Sequence, residues 1–225
     1  MKKMELDAAL NQFLKDEDAE EYFWPDQMAG NRTIFDYSDI VGKEISFTPE
    51  ENMSADWFWS KAHVQPAPAN NQYDIDFRGI CNFVFAHVER ELFTTLDAIF
   101  FVFNEEGLDE VFDYTGDEYA LECIDMDEHI GLMWYEKNII IINVGLIQAS
   151  SEELADEFSS AASHASDGIV MTIVHELRHL MLETNVLLPE EKYPDYEATE
   201  AAVEEYTRQF ADRWLLGNID FVSKV

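Results

Sequence analysis

Apolar positions recur along this chain with the spacings of helices and strands. In residues 4 to 22 they follow a helical interval at Leu6, Leu10, Phe13 and Leu14. Residues 80 to 92 repeat that interval and predict a second helix. Residues 26 to 72 are mixed, and the prolines and asparagines between positions 66 and 71 predict an exposed loop.

The middle of the chain has the patterns of strands. Residues 98 to 103 form a continuous apolar run, which predicts a buried strand, whereas residues 110 to 114 and 119 to 124 alternate apolar and polar side chains. Residues 131 to 134 and 138 to 143 bracket a short polar segment and predict a hairpin. Four or five strands with short connections indicate a largely antiparallel or mixed sheet.

Helical patterns return in the last third. Ser150 and Glu153 form a capping box, which predicts a helix start, and the small residues at 163 to 168 predict its end. A further helix is expected from Ile169, a loop with two prolines at 185 to 194, and a last helix from residue 195 to residue 214. Strands followed by consecutive helices predict an α+β fold.

The helix that begins at Ile169 contains His175-Glu176-Leu177-Arg178-His179. Two imidazoles at positions i and i+4 project from one helical face, close enough to bind one metal ion. Glu176 is displaced around the helix, so it can reach a metal-activated water instead of joining the ligands. This HExxH pattern predicts a zinc site with its own general base.

The last helix offers acids beside its apolar stripe. That stripe consists of Tyr196, Thr199, Val203, Tyr206, Phe210 and Trp214. At about 100° per residue, Glu200 lies nearest the stripe, Glu204 lies further round and Glu197 lies furthest. An acid beside a buried stripe is costly unless a cation receives it, and a metal held by the preceding helix would be that cation.

Together the two helices resemble the zincin metallopeptidases, and within them the gluzincins, whose third ligand is a glutamate on the helix after HExxH. The run from Thr199 to Glu204 is similar to the thermolysin-type pattern, in which a ligand glutamate is followed four residues later by an acid that orients a ligand histidine. Carried over, Glu200 binds the metal and Glu204 hydrogen-bonds a ligand imidazole. The reverse assignment stays open, because some compact intracellular zincins carry their glutamate six residues before a Phe-Ala pair, as Glu204 stands before Phe210-Ala211.

This resemblance covers residues 169 to 214, and it has one departure: Arg178 is charged where the family prefers uncharged residues. It implies a zincin-like fold, in which the edge strand of the sheet lines the cleft and pairs with an extended substrate. Residues 139 to 143 are the candidate for that strand, and an ordinary buried strand is the alternative.

The resemblance also implies a zinc-dependent peptidase. His175, His179 and Glu200 would hold Zn²⁺, and Glu176 would act as general base on a metal-activated water during peptide-bond hydrolysis. A further donor usually stabilises the oxyanion, and the sequence leaves three options open for it. They are Tyr206, Tyr193 and His164.

The charge of the chain is extreme, with 14 basic and 47 acidic residues and a formal net charge of −33. Such a surface argues against nucleic-acid and anionic-membrane partners and favours a peptide or protein substrate with basic groups. An alternative function rests on the charge itself: an inert, zincin-like acidic binding protein that mimics or inhibits a basic partner. A di-iron site is disfavoured, because no second ExxH is present.

The 225 residues, 47% of them hydrophobic, suffice for a single zincin-like domain. Its expected parts are an N-terminal helical or irregular decoration (1–72), a helix and the sheet (73–148), and the metal-site helices (149–225). The chain has no long apolar run, an N-terminus that turns acidic early, and two cysteines far apart among apolar residues. These features predict a cytoplasmic protein with reduced thiols. The sequence specifies no oligomeric state.

Overall fold

The computed structural model describes residues 53–116, 125–134, 136–155, 160–185, 196–215 and 221–224. The helices in these ranges are α1 (Ala55–Trp59), α2 (Phe77–His87), α3 (Leu108–Thr115), α4 (Val144–Leu154), α5 (Ala161–Asn185) and α6 (Tyr196–Trp214). The strands are β1 (Ala62–Val64), β2 (Tyr73–Ile75), β3 (Ala98–Val102), β4 (Gly131–Trp134), β5 (Ile139–Asn143) and β6 (Val222–Lys224). Short 3-10 turns follow α2 at Arg90–Phe93 and precede α3 at Glu105–Gly107. The fold is α+β, as the sequence predicts.

A mixed four-stranded sheet has the strand order β1-β3-β5-β4. Strands β1, β3 and β5 are parallel. Strand β4 runs antiparallel to β5 and is the first arm of the predicted hairpin, with Trp134 opposite Ile139. The candidate for the edge strand, 139–143, is therefore wrong, because β5 lies between β3 and β4; among the described strands, β4 is at the edge. β1 comes from the segment expected to be decoration, and β2 pairs with β6 in a separate two-stranded sheet.

Both faces of the main sheet are covered. Successive residues of a strand point to opposite faces, so β3 and β5 contribute to two cores. The larger core receives Ile99, Phe101, Ile140 and Ile142, and the smaller one receives Phe100, Ile139 and Ile141 together with Leu108 and Val111 of α3. Two-sided burial explains why these strands are continuous apolar runs in the sequence.

Helix α5 is the central helix of the larger core. It packs against α2, α4 and α6 and against strands β4 and β5. Six of its large apolar side chains are completely buried: Ile169, Val170, Ile173, Val174, Leu177 and Leu180. Polar residues on α5 therefore also lie against neighbouring elements. None of the described helices is long and apolar enough to cross a membrane.

Two predicted helix boundaries are wrong. Helix α4 begins at Val144, because Asn143 caps it by accepting a hydrogen bond from the backbone N–H of Leu146 at 3.0 Å, and Ser150 lies inside the helix. Helix α5 begins at Ala161, not at Ile169. The small residues at 163–168 are helical because tight packing needs them there, and Ala165 and Ser166 are completely buried.

The predicted strand at 110–114 is also wrong, since these residues belong to α3. Leu108 and Val111, three residues apart, are buried, and this helical spacing overrides the short alternation that follows. Gly116 ends the helix with φ +67°, a conformation that glycine adopts without strain. The predictions for residues 4–22 and 119–124 and for the loop at 185–194 lie essentially outside the described residues.

Candidate metal centre

The HExxH segment lies within α5 and turns its polar side chains toward two different neighbours. At about 100° per residue, His175 and His179 lie about 40° apart around the helix axis. Glu176 lies about 60° beyond His179, and Arg178 lies about 60° on the other side of His175. Helix α6 covers the side with Arg178 and the imidazoles, and strand β4 covers the side with Glu176. The helical spacing of the motif thus directs Arg178 and the two imidazoles toward α6 and directs Glu176 toward β4.

Three side chains converge on the α6 side. The Nε2 atoms of His175 and His179 are 3.1 Å apart, and the carboxylate of Glu200 lies 3.3 Å from the first and 3.1 Å from the second. Zinc ligands at about 2.0–2.2 Å in a tetrahedron are about 3.3–3.6 Å from one another. The observed distances are close to this spacing, so the three residues fit a zinc ion.

The electrostatics of the cluster also favour a cation. Burial by itself would raise the pKa of Glu200, but hydrogen bonds to both imidazoles and their charges outweigh it and hold the pKa well below its usual value. His179 is buried, whereas the side chains of His175 and Glu200 are about one quarter exposed, so the cluster is partly withdrawn from water. Two imidazole nitrogens and a carboxylate all carry lone pairs, and a metal ion satisfies the three at once.

Glu204 lies one helical turn after Glu200 and is exposed. Partial burial and the negative charge of Glu200 raise its pKa, and the charge of His175 opposes them. The ion pairs to the two imidazoles are made by Glu200. The group of residues that could hold a metal therefore contains Glu200 and not Glu204.

The other side of the motif is sterically tight. Glu176 is only 7% exposed and lies against Gly131, the first residue of β4. A Cβ atom on Gly131 would come within 2.7 Å of Glu176 Oε1 and 2.4 Å of the Thr172 methyl group. Burial raises the pKa of Glu176, while the charges of the two neighbouring imidazoles oppose that rise. The motif's carboxylate is thus separate from the three converging ligand atoms and is held under the edge strand.

A third imidazole approaches Glu176 from the turn that precedes β4. The charge of His129 is close enough to act on the Glu176 carboxyl. The side-chain amide of Asn143 donates hydrogen bonds to the carbonyls of His129 and Met126 and so ties this turn to the end of β5. Neither His129 nor Gly131 has a sequence spacing that links it to the motif, and sequence analysis did not identify them.

The three options for oxyanion stabilisation are placed as follows. Tyr206 donates its hydroxyl hydrogen to the carboxylate of Glu89. His164 precedes His175 on α5 by 11 residues, about 16 Å along the helix axis. Tyr193 lies outside the described residues. The identity of the oxyanion donor therefore stays a prediction.

Comparison of the chain with models of known protein families, with curated proteins and with solved structures gives no match. A family resemblance therefore carries no weight beyond the residues that motivate it. Among the described residues, the site contains the three converging side chains of His175, His179 and Glu200, the separate buried carboxylate of Glu176, and the edge strand β4 beside it. Function is argued from these groups alone.

Proposed function

We propose that the protein is a zinc-dependent metallopeptidase with a zincin-like fold. One observation carries the proposal: the Nε2 atoms of His175 and His179 and the carboxylate of Glu200 approach one another within 3.1–3.3 Å. Three protein ligands leave one position open, which is typical of catalytic zinc sites, whereas structural sites use four protein ligands. The three residues would hold the ion from two adjacent helices.

Bound zinc would supply Lewis acidity, which polarises a carbonyl and lowers the pKa of water. Glu176 has the position expected of a general base, because it is adjacent to the ligand cluster without belonging to it. Its carboxylate would accept a proton from the attacking water and then donate it to the leaving amine. Burial under β4 keeps this carboxylate in one place, so no reorganisation is needed when the substrate binds.

The position of β4 supports a peptide as substrate. Among the described strands it is bonded only to β5, so its other edge faces away from the sheet next to Glu176. An extended peptide can pair with such an edge through main-chain hydrogen bonds. An antiparallel edge strand beside α5, here called the motif helix because it carries the HExxH segment, is also the arrangement that a zincin-like fold implies.

The charge near this edge supports a basic substrate. Asp125, Asp127 and Glu128 are exposed in the turn that leads into β4, and the whole chain has a net charge of −33. Acidic side chains on the approach to a cleft attract cationic groups and accelerate their association. We therefore expect peptides with lysine or arginine to be hydrolysed in preference to acidic ones.

Elemental analysis tests the proposal directly. Protein purified without chelator should contain about one zinc per chain, and zinc added after chelation should restore both the metal content and the hydrolysis of a lysine-rich peptide. An acidic peptide of the same length is the matched control for substrate charge. Native protein that neither contains zinc nor binds it would disprove the metal site.

The acidic surface supports a second candidate, a catalytically inert zincin-like binding protein that mimics or inhibits a basic partner. The −33 net charge is the observation that favours it. Binding of this kind should weaken steeply as salt screens the charges, and it should persist after chelation. Against it stands Glu176, a buried carboxylate beside the ligand cluster that an inert scaffold has no need to bury.

A further inference from the structure

The residue that departs from the zincin consensus makes a specific contact between the two metal-site helices. Arg178 stands between the two histidines of the motif, and its guanidinium lies over the ring of Tyr206 on α6, 4.8 Å from the centroid. Its Nε atom is buried and has no hydrogen-bond partner in the described part of the chain. A partly buried cation needs compensation, and the face of the Tyr206 ring supplies part of it.

Tyr206 continues this contact to a third element. Its hydroxyl donates a hydrogen bond to the carboxylate of Glu89, next to the 3-10 turn Arg90–Phe93 that packs against α5. Burial and the Glu89 contact raise the pKa of Tyr206, so the phenol remains a proton donor. The series Arg178, Tyr206 and Glu89, here called the brace, therefore links the motif helix, α6 and the segment before the 3-10 turn.

The brace contacts α6, the helix that also carries Glu200. Much of the packing of α6 on the core is made by apolar side chains, including Val203, Phe210 and Ala211. Apolar contacts are not directional and tolerate a small rotation of the helix. A cation over a ring and a hydroxyl on a carboxylate are directional, so they restrict the rotation of α6. Because Glu200 is on the same helix, this rotation sets the distance from its carboxylate to both imidazoles.

We propose that the Arg178–Tyr206–Glu89 brace positions Glu200 against His175 and His179, so that Arg178 and Tyr206 are positioning residues of the metal centre. This inference rests on the proposed zinc site. It assigns a role to the charged residue inside the motif, and it predicts that metal affinity depends on side chains that are not ligands. Partners outside the ligand set typically contribute about 10- to 100-fold to metal affinity.

The test uses full-length protein with zinc as the probe, in competition with a chromophoric chelator. Tyr206→Phe keeps the ring under Arg178 and removes only the hydroxyl, and we expect about a tenfold loss of zinc affinity. Arg178→Gln should lose more, and Arg178→Lys should recover part of the loss because a cation remains over the ring. The visible spectrum of the Co²⁺-substituted variants should change, because the Glu200 oxygen moves relative to the metal.

A matched control is available on α6. Arg213 lies over the ring of its neighbour Trp214, also 4.8 Å from the centroid, but this contact stays within one helix. Arg213→Gln should therefore leave zinc affinity and the Co²⁺ spectrum unchanged. The unfolding of each metal-free variant, measured in urea, separates lost positioning from lost folding.

The outcomes distinguish this inference from the proposed function. Wild-type protein that binds no zinc would overturn both. Wild-type protein that binds zinc, with Tyr206→Phe binding it equally tightly and with an unchanged Co²⁺ spectrum, would overturn the brace and leave the zinc site intact. If Arg178→Gln fails to fold, the conservative Tyr206→Phe variant decides the question. A tenfold loss in Tyr206→Phe but not in Arg213→Gln would support the brace.

Discussion

The two flanks of the motif helix are built on different principles. On the α6 flank, charged and polar groups converge: Glu200 meets both imidazoles at 3.1–3.3 Å, and Arg178 lies over Tyr206. On the β4 flank, the arrangement depends on steric fit, because the carboxylate of Glu176 occupies space that a side chain at position 131 would need. Under the proposed function, the α6 flank would hold the cation and the β4 flank would fix the general base.

If the two flanks have the proposed roles, metal binding and proton transfer can be disturbed separately. Substitutions on the α6 flank change the ligand atoms or their spacing, so they should reduce metal content and activity together. Substitutions on the β4 flank should reduce activity while the metal content stays at that of the wild type. A variant on one flank with the behaviour of the other would show that the two functions are not divided in this way.

Removal of a ligand should have the largest effect. We expect Glu200→Ala to reduce zinc affinity by more than the roughly 100-fold that loss of an outer partner can cost, and to abolish hydrolysis. Glu204→Ala is the matched control, an exposed acid one turn further along the same helix. It should retain zinc affinity within a few-fold. The reverse result, measured by zinc competition, would make Glu204 the ligand.

Removal of the base should leave the metal in place. Glu176→Gln keeps the shape of the side chain, so zinc content should stay at about one per chain while kcat falls by about 10²- to 10⁴-fold. Thr172→Val is the control, since it changes a side chain on the same arc of α5 that also touches the space beside Gly131. Residual hydrolysis by Glu176→Gln at the wild-type rate would require a different base.

A methyl group on the edge strand should have a smaller effect. Gly131→Ala would crowd Glu176 and Thr172, and a displacement of about 1 Å in a reacting group can cost about 100-fold in rate. We expect kcat to fall by about 10- to 100-fold with unchanged zinc content. Gly168→Ala is the control, because its Cβ would crowd the Ile147 methyl group at 2.9 Å, away from Glu176. An equal loss in both variants would indicate general destabilisation.

The convergence of two imidazoles and an acid on the α6 flank could be predicted from the sequence. The contacts of Glu176 on the β4 flank could not. Imidazoles four residues apart meet because of local helix geometry, and proximity to the buried stripe made Glu200 the first candidate acid, with Glu204 left open as the alternative. Gly131 and His129 precede the motif by more than 40 residues, and only the stacking of the β4–β5 hairpin on α5 brings them to Glu176. Such contacts depend on tertiary packing, and no periodic pattern of residues in the sequence predicts them.

The same distinction holds for the fold. Strands β3 and β5 were predicted because burial on both faces makes them continuous apolar runs. Strands β1, β2 and β6 have three residues each, too few to show any alternation. Residues 110–114 show an alternation by chance, and the helical spacing of Leu108 and Val111 decides their structure. Ser150 has the features of a cap, but Asn143, seven residues earlier, caps the helix.

The smallest expected effect concerns the turn before β4. Asn143 is 3% exposed; its Oδ1 accepts from the N–H of Leu146, and its amide donates to the carbonyls of Met126 and His129. Asn143→Asp keeps the acceptor for the helix cap and places a carboxylate oxygen against those two carbonyls. Each buried polar group left unsatisfied costs about 1–3 kcal/mol.

We therefore expect Asn143→Asp to lower the free energy of unfolding, measured in urea, by about 2–4 kcal/mol. Activity should fall less than tenfold, because β4 remains paired with β5 while the turn that carries His129 loosens. Asn143→Ala, which loses the cap as well, is the comparison variant. If Asn143→Asp lowered zinc affinity as much as Glu200→Ala does, the turn would belong to the metal-binding flank, and the division of the motif helix into two flanks would be wrong.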